Sequence, residues 1–218
     1  MRFSLRTIGL LAVVAVASLW TAQAASAATT AWWKMDETSG TTMNDSVGSA
    51  DGTLHNVTVG LAGISVKAYG FNGTSSYVSV PNRSSLNPGS AKVTVQIAVL
   101  FTTIPPQDYD LIRKGLASTA GGDYKIEIVH SGQALCLFGG SKATAIVIGG
   151  PALNDGTWHR ISCIRGARSA SLIVDGRVRR RVWRSVGSIA NTATLFIGAR
   201  PGSDWHKGRL DEARIIVG

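Results

Sequence analysis

Glutamate is almost missing from this chain. Only Glu37, Glu127 and Glu212 occur among 218 residues, and acids of both kinds number 13 against 22 lysines and arginines. That scarcity limits paired-carboxylate chemistry, because retaining glycoside hydrolysis needs two carboxyl groups about 5–5.5 Å apart. Cysteine is equally sparse, at Cys136 and Cys163. A zinc site would need more ligands nearby, and His55, His130, His159 and His206 show no metal-type spacing. Neither a G-x-S-x-G serine elbow nor an H-E-x-x-H pair is present. Helical periodicity is nearly absent after the first 27 residues, and no later run is long and apolar enough to cross a bilayer.

What is present begins with a targeting signal. MRFSLRT carries two arginines, residues 8–20 form a 13-residue apolar run, and small residues offer cleavage after Ala24 or Ala27. That order is the pattern of a secretory signal peptide, so residues 1–27 read as signal and 28–218 as one exported, extracellular domain. In an exported protein an even cysteine count suggests a disulfide. Both cysteines lie in strand-like runs, ALCLFGG and HRISCIRG, and the expectation is a Cys136–Cys163 bridge between strands of one sheet.

The body of the chain alternates short β-branched runs with SG, DG, NG, GG and PG breakers, and it holds 25 glycines. About ten strands are legible, among them SYVSVP, KVTVQIAVLFT, DYKIEIVHSG and TWHRISCIRG. Regular spacing with turn signals predicts an all-β sandwich or barrel. LIVDGRVRR predicts a tight hairpin on Asp175-Gly176.

Four blocks then carry a resemblance: WWKMDETSGTTMNDSVG with DGTLHN; FNGTSSYVSVP; DGTWHRISCIRG with LIVDGR; and GRLDEARI. In this order they resemble the concanavalin A-like, laminin-G-like jelly-roll family, from about Trp32 to Val217. The resemblance implies two antiparallel sheets packed face to face, one concave, a function in binding carbohydrate or protein, and often a structural calcium ion. It adds weight to the disulfide. The family's hydrolase pattern on one strand (Glu, apolar, Asp, two residues, Glu) does not occur here, so no catalytic residue is assigned.

Candidate contacts follow from side-chain chemistry. Trp205 sits in a polar loop, RPGSDWHKG, and Tyr124 is not easily placed in a core; rings such as these stack on sugars. Glu127 shares a strand face with Lys125. Arg177, Arg179 and Arg181 alternate on one strand, with Val178 and Val182 on the other face, and arginine forks suit carboxylate, sulfate and phosphate. A strand edge guarded by charge against pairing is the plainer reading of those arginines. Asp211 shares a face with Ala213, Ile215 and Val217, the core side, whereas Glu212 falls beside Arg214. The resemblance implies that Asp211, with Asp36 or Glu37 and the Asn72-Gly73 turn, holds the calcium; the plainer reading of Asp211 is a carboxylate that accepts backbone N–H bonds at a strand corner. The expected function is a secreted, non-catalytic module that recognises a polysaccharide or cell-surface glycan, anionic cell-wall polymers included. Protein adhesion and a reshaped glycosidase site are the alternatives. Nucleic acid is not an expected partner, since no recognition motif supports it.

Overall fold

Glycine and Asx turns cut the chain into strands joined largely by short connections, which favour antiparallel pairing, and the computed structural model shows sixteen of them. The structure describes Met1 and residues 28–218. The signal reading for the segment before Ala28 therefore lies, Met1 aside, outside the described residues. In order the strands are β1 (Ala28–Trp33), β2 (Thr42–Met43), β3 (Gly52–His55), β4 (Thr58–Ala62), β5 (Lys67–Asn72), β6 (Tyr77–Val80), β7 (Val93–Leu100), β8 (Tyr109–Lys114), β9 (Asp123–Ile128), β10 (Ala134–Gly139), β11 (Thr144–Gly149), β12 (His159–Arg165), β13 (Ser169–Val174), β14 (Arg177–Trp183), β15 (Leu195–Ile197) and β16 (Lys207–Val217). The described residues contain one short 3-10 turn, Ser84–Leu86, and no α-helix; no helix among them is long and apolar enough to cross a membrane.

The strands form two antiparallel sheets. The first runs β14-β13-β12-β7-β16-β5-β4, with β1 also paired to β16. The second runs β11-β10-β9-β8-β15-β6-β3-β2. Alternation puts Val93, Val95, Ile97 and Val99 of β7 inward, where they meet Tyr124, Ile126 and Ile128 of β9 in one continuous core. Asp175 (φ 52°) and Gly176 (φ 74°) make the expected two-residue hairpin between β13 and β14, and two successive left-handed residues are what a type I′ turn requires.

The disulfide forms between the expected cysteines but joins different partners than expected. Cys136 belongs to β10 of the second sheet and Cys163 to β12 of the first, with Cα atoms 5.5 Å apart. Both side chains are buried, because each occupies an inward position of its own strand. The bridge therefore pins sheet to sheet through the core rather than strand to strand within a sheet.

Bulges overturn two readings that rested on strict alternation. Asp211 pairs with Ala98 and Arg214 with Gln96, so β16 advances three residues where β7 advances two. The extra residue is accommodated at Glu212, which takes a left-handed φ of 54°. Asp211 thus shares the outer face of the first sheet with Ala98, and the core side resumes only at Ala213. On β14 the register shifts against Leu172/Ile173, so Arg181 pairs with Ser171 on the outer face while Arg177 pairs with the inward Val174. Arg179, the extra residue, packs its chain against Gly150 beyond β11. The three arginines do not form one face.

Candidate functional site

The outer face of the second sheet gathers chemistry that no single strand displays. One row of cross-strand neighbours reads Ile146, Leu137, Lys125, Arg113, Phe196, Ser79, Thr53 and Thr42 across eight strands. It passes from apolar through charged and aromatic to hydroxyl side chains. In the next row Glu127 stands directly opposite Asp110.

The four charges at the centre are mutually satisfied. Arg113 Nη2 donates to Asp110 Oδ1 at 3.1 Å, its Nε donates to Asp110 Oδ2, and Nη2 lies 3.7 Å from Glu127 Oε2. Lys125 completes the cluster by donating to Glu127. Asp110 and Glu127 are 0% and 2% exposed, so such pairing is required to keep them charged. Burial pushes the Asp110 carboxyl up and Arg113 opposes it; burial likewise pulls Lys125 down, with Asp110 opposing.

Beside the charges lies an aromatic strip. Tyr77 stacks on His55 with ring centroids 4.2 Å apart and planes 9° from parallel. The Tyr77 ring also lies 6.0 Å from both Phe196 and Trp205. Trp205 is brought in by the 198–206 loop. That loop is tied down by the His206 amide on Gly198 O (2.9 Å), the Asp110 amide on Asp204 O (3.0 Å) and the Arg200–Asp204 ion pair (3.2 Å). Gly198 cannot be replaced: its φ is +83°, and a Cβ there would overlap the Phe71 ring. Arg113, Leu116, Thr119, Phe196, Arg200 and Pro201 line a groove of about 370 Å³ next to the strip. Half-buried rings offer their faces to the C–H surface of a pyranose or furanose, and the flanking forks and hydroxyls can bond its oxygens.

Of the residues singled out in the sequence, Trp205 and Glu127 reach this face. Tyr124 does not: its ring is fully buried and its hydroxyl donates to Leu86 O at 3.0 Å, because its position on β9 points into the core. Arg177, Arg179 and Arg181 lie on the other sheet, at its β14 edge. Sequence reading missed Asp110, Arg113, Tyr77, His55 and Phe196. The only signal that could have found them is register, since Asp110 meets Glu127 across strands.

The residues proposed for calcium are already engaged by hydrogen bonds, with Asp211 Oδ1 the exception. Asp36 Oδ1 accepts the Lys67 amide at 2.9 Å, and Glu37 accepts from Asn44 (2.9 Å to its amide) and from the Tyr69 hydroxyl. Asp211 Oδ2 accepts the amides of Ile64 (2.9 Å) and Ser65 (3.3 Å) under the β4–β5 loop. Backbone amides thus engage Asp36 Oδ1, Glu37 Oε1 and Asp211 Oδ2. Asn72 caps its own turn by accepting from Thr74 and Ser75 (2.9 Å each), a full strand length along β5 from Lys67, and Gly73 follows it there. Among the described residues no three His, Cys, Asp or Glu side chains cluster for a metal. Burial pushes the Asp211 carboxyl up to about 6, the two amides opposing. Its Oδ1 has no partner. Thermal unfolding in millimolar calcium and in EDTA should give the same midpoint. A rise with calcium would show ligands that these hydrogen bonds conceal.

Two sheets of this order, with the first and last strands side by side, define a lectin-type sandwich. The chain belongs to the concanavalin A-like lectin/glucanases superfamily, whose laminin G model matches residues 72–217. Similar solved structures agree in fold. Domain 4 of AbnA, an extracellular arabinanase of Geobacillus stearothermophilus, in complex with arabinotriose, superposes with a TM-score of 0.64 at 19% identity, covering 88% of this chain and 93% of that one. The binding domain of Paraclostridial Mosquitocidal Protein 1 gives 0.67 at 16% identity over 86% of this chain. Mouse laminin α1 domains LG4-5 give 0.54 at 17% identity, covering 68% of this chain and 40% of theirs. The chain spans about half the length of the mosquitocidal toxin domain, 48%.

Proposed function

We propose that this chain is a secreted, non-catalytic glycan-binding module whose binding surface is the outer face of the second sheet. The observation that carries the reading is the convergence of the rings of His55, Phe196 and Trp205 on Tyr77, beside the Arg113 cluster. The AbnA domain was solved with arabinotriose, which supports an oligosaccharide chain as the ligand class. The charges at the centre of the face balance, with Asp110 and Glu127 against Arg113 and Lys125, so a neutral sugar chain suits it best. The same pairing argues against hydrolysis. A retaining glycosidase needs one free nucleophile and one protonated acid, and here Arg113 sits between the two carboxylates.

The test is affinity electrophoresis against soluble arabinan. Tyr77→Ala removes the ring at the centre of the strip and should weaken binding at least tenfold, about 1.4 kcal/mol. Unchanged retardation of Tyr77→Ala would overturn this surface, and release of reducing sugar by the wild type would overturn the non-catalytic reading. Protein adhesion is the second reading. It is favoured by Ile146 (52% exposed) and Ile148 (37% exposed), which stand beside Leu137 and Leu135 as an apolar border to the same face. Ile146→Lys should abolish capture of a protein partner and leave arabinan binding intact.

A further inference from the structure

The opposite side of the sandwich carries a second groove of about 340 Å³, on the outer face of the first sheet. Its floor is one register row, in which Arg214 pairs with Gln96, Gln96 with Ser162 and Ser162 with Ile173. The amide Nε2 of Gln96 donates to Ser162 Oγ at 2.9 Å, which holds both polar groups in place and leaves the amide oxygen free of that bond. Arg160 borders the same groove.

Arg214 is held on two sides. Its guanidinium lies over the Trp32 indole, 3.9 Å from the ring centroid, and Nη2 donates to Glu212 Oε2 at 2.6 Å. Trp32 Nε1 donates to the same Oε2 at 2.8 Å. A stacked, tethered guanidinium has lost most of its rotamer freedom before any ligand arrives, and its remaining N–H edge is a preformed fork. The pairing recurs at the far edge of this face. There Arg181 Nε donates to Ser171 Oγ (2.9 Å) and its guanidinium lies 5.8 Å from the ring centroid of Trp183, which is 78% exposed. Four inter-strand steps separate β16 from β14, about 19 Å at the usual strand spacing. Lys34, Arg214, Arg160 and Arg181 set four cations on or beside this face against Glu212, which Arg214 already engages, the fully buried Asp211, and Asp175, which pairs with His159 and accepts the Arg160 amide.

We infer that the outer face of the first sheet binds a carboxylate-bearing polysaccharide, a uronate polymer, at a site separate from the neutral-sugar face of the second sheet. Planar forks match carboxylates, the Gln96 amide and Ser162 hydroxyl match ring hydroxyls, and Ile173 and the exposed Trp183 match apolar sugar faces. The distance between the two guanidinium–indole pairs calls for a polymer rather than a single sugar. Such a ligand would cross the sheet from Arg214 over Ser162 and Ile173 towards Arg181, with Arg160 flanking it on one side.

The probes are polygalacturonate, its fully methyl-esterified form and arabinan, each cast in native gels at low and high salt. Wild type should be retarded by polygalacturonate, much less by the ester, and less at high salt. Arg214→Gln and Arg160→Gln should each weaken polygalacturonate binding about tenfold and leave arabinan binding unchanged, with Tyr77→Ala doing the reverse. Arg160 is exposed, so its variant tests the site even if Arg214→Gln unfolds. No retardation of wild type by polygalacturonate, equal retardation by the ester, or full affinity in Arg160→Gln would overturn the inference. Loss of polygalacturonate binding in Tyr77→Ala alone would move the acid polymer to the second sheet and overturn it too. Failure to bind arabinan, with polygalacturonate binding intact, would sink only the neutral-sugar reading.

Discussion

Replacing Cys136 and Cys163 together by alanine should lower the unfolding midpoint by about 7–14 °C. The bridge closes a loop with a sequence separation of 27, for which loop-closure entropy gives about 3.5 kcal/mol. A domain of this size loses about 2–4 °C per kcal/mol. Because the bridge crosses the core from β10 to β12, its loss also frees the two sheets to separate at that end. Scanning calorimetry of the double variant measures the effect, and thiol labelling of the native wild type should find no reactive cysteine. A midpoint within 2 °C of wild type would mean that packing alone holds the sheets in register.

The second large effect concerns His206. Its imidazole is fully buried among the rings of Tyr109 (centroids 5.3 Å apart), Phe71 (5.9 Å) and Phe101 (6.1 Å), and neither ring nitrogen has a partner. Burial pushes its pKa down to about 3, and the nearby Arg209 backbone, short of a hydrogen bond of good geometry, opposes this. The unfolded chain binds this proton near pH 6.5 and the folded chain only near 3. The neutral histidine therefore contributes full stability above pH 6.5, and that contribution is lost as pH falls towards 3. His206→Leu, close in volume, has no proton to bind. Relative to its value at pH 7.5, the variant should gain about 2 kcal/mol over wild type by pH 5, at about 1.36 kcal/mol per pH unit. Urea unfolding at the two pH values reads this directly. Parallel pH profiles for the two proteins would show that the imidazole finds a partner that keeps it titratable.

The strands that alternate cleanly were legible in the sequence, and those that do not were missed. KVTVQIAVL gives β7 and SYVSVP gives β6 because one face of each is apolar and the other is not. Strand β8, YDLIRK, gives no such signal. All six of its residues are buried and three are charged, since Asp110 and Arg113 lie on the outer face within a cluster that shields them. Lys114 points inward and bonds Asn191 O at 2.9 Å, which no hydrophobic pattern foretells. Asp211 and the arginines of β14 were misplaced for a related reason. Period-two reading assumes an unbroken pleat, and one extra residue at Glu212 or Arg179 exchanges the faces beyond it. The aromatic strip was hidden because Tyr77 is more than a hundred residues from Phe196 and Trp205, and those two lie on a strand and on the loop after it. Their chemistry exists only after β6, β15 and the 198–206 loop are set side by side.

Strand β16 also fixes the order in which this domain can come into being. It fills the gap between β7 and β5 and supplies the partner of β1. Until residues 207–217 emerge, the first sheet exists only as the ribbon β14-β13-β12-β7, the hairpin β4-β5 and an unattached β1. The Thr30 hydroxyl, which bonds Ile215 O, waits for a partner 185 residues away. At about 5–20 residues per second that interval is on the order of 10–40 s, and in its later part the free edges of β5 and β7 have nothing to pair with. The second sheet, which lacks β16, can pair earlier, but the first stays incomplete until its central strand arrives. Long-range closure of this kind also predicts slow refolding.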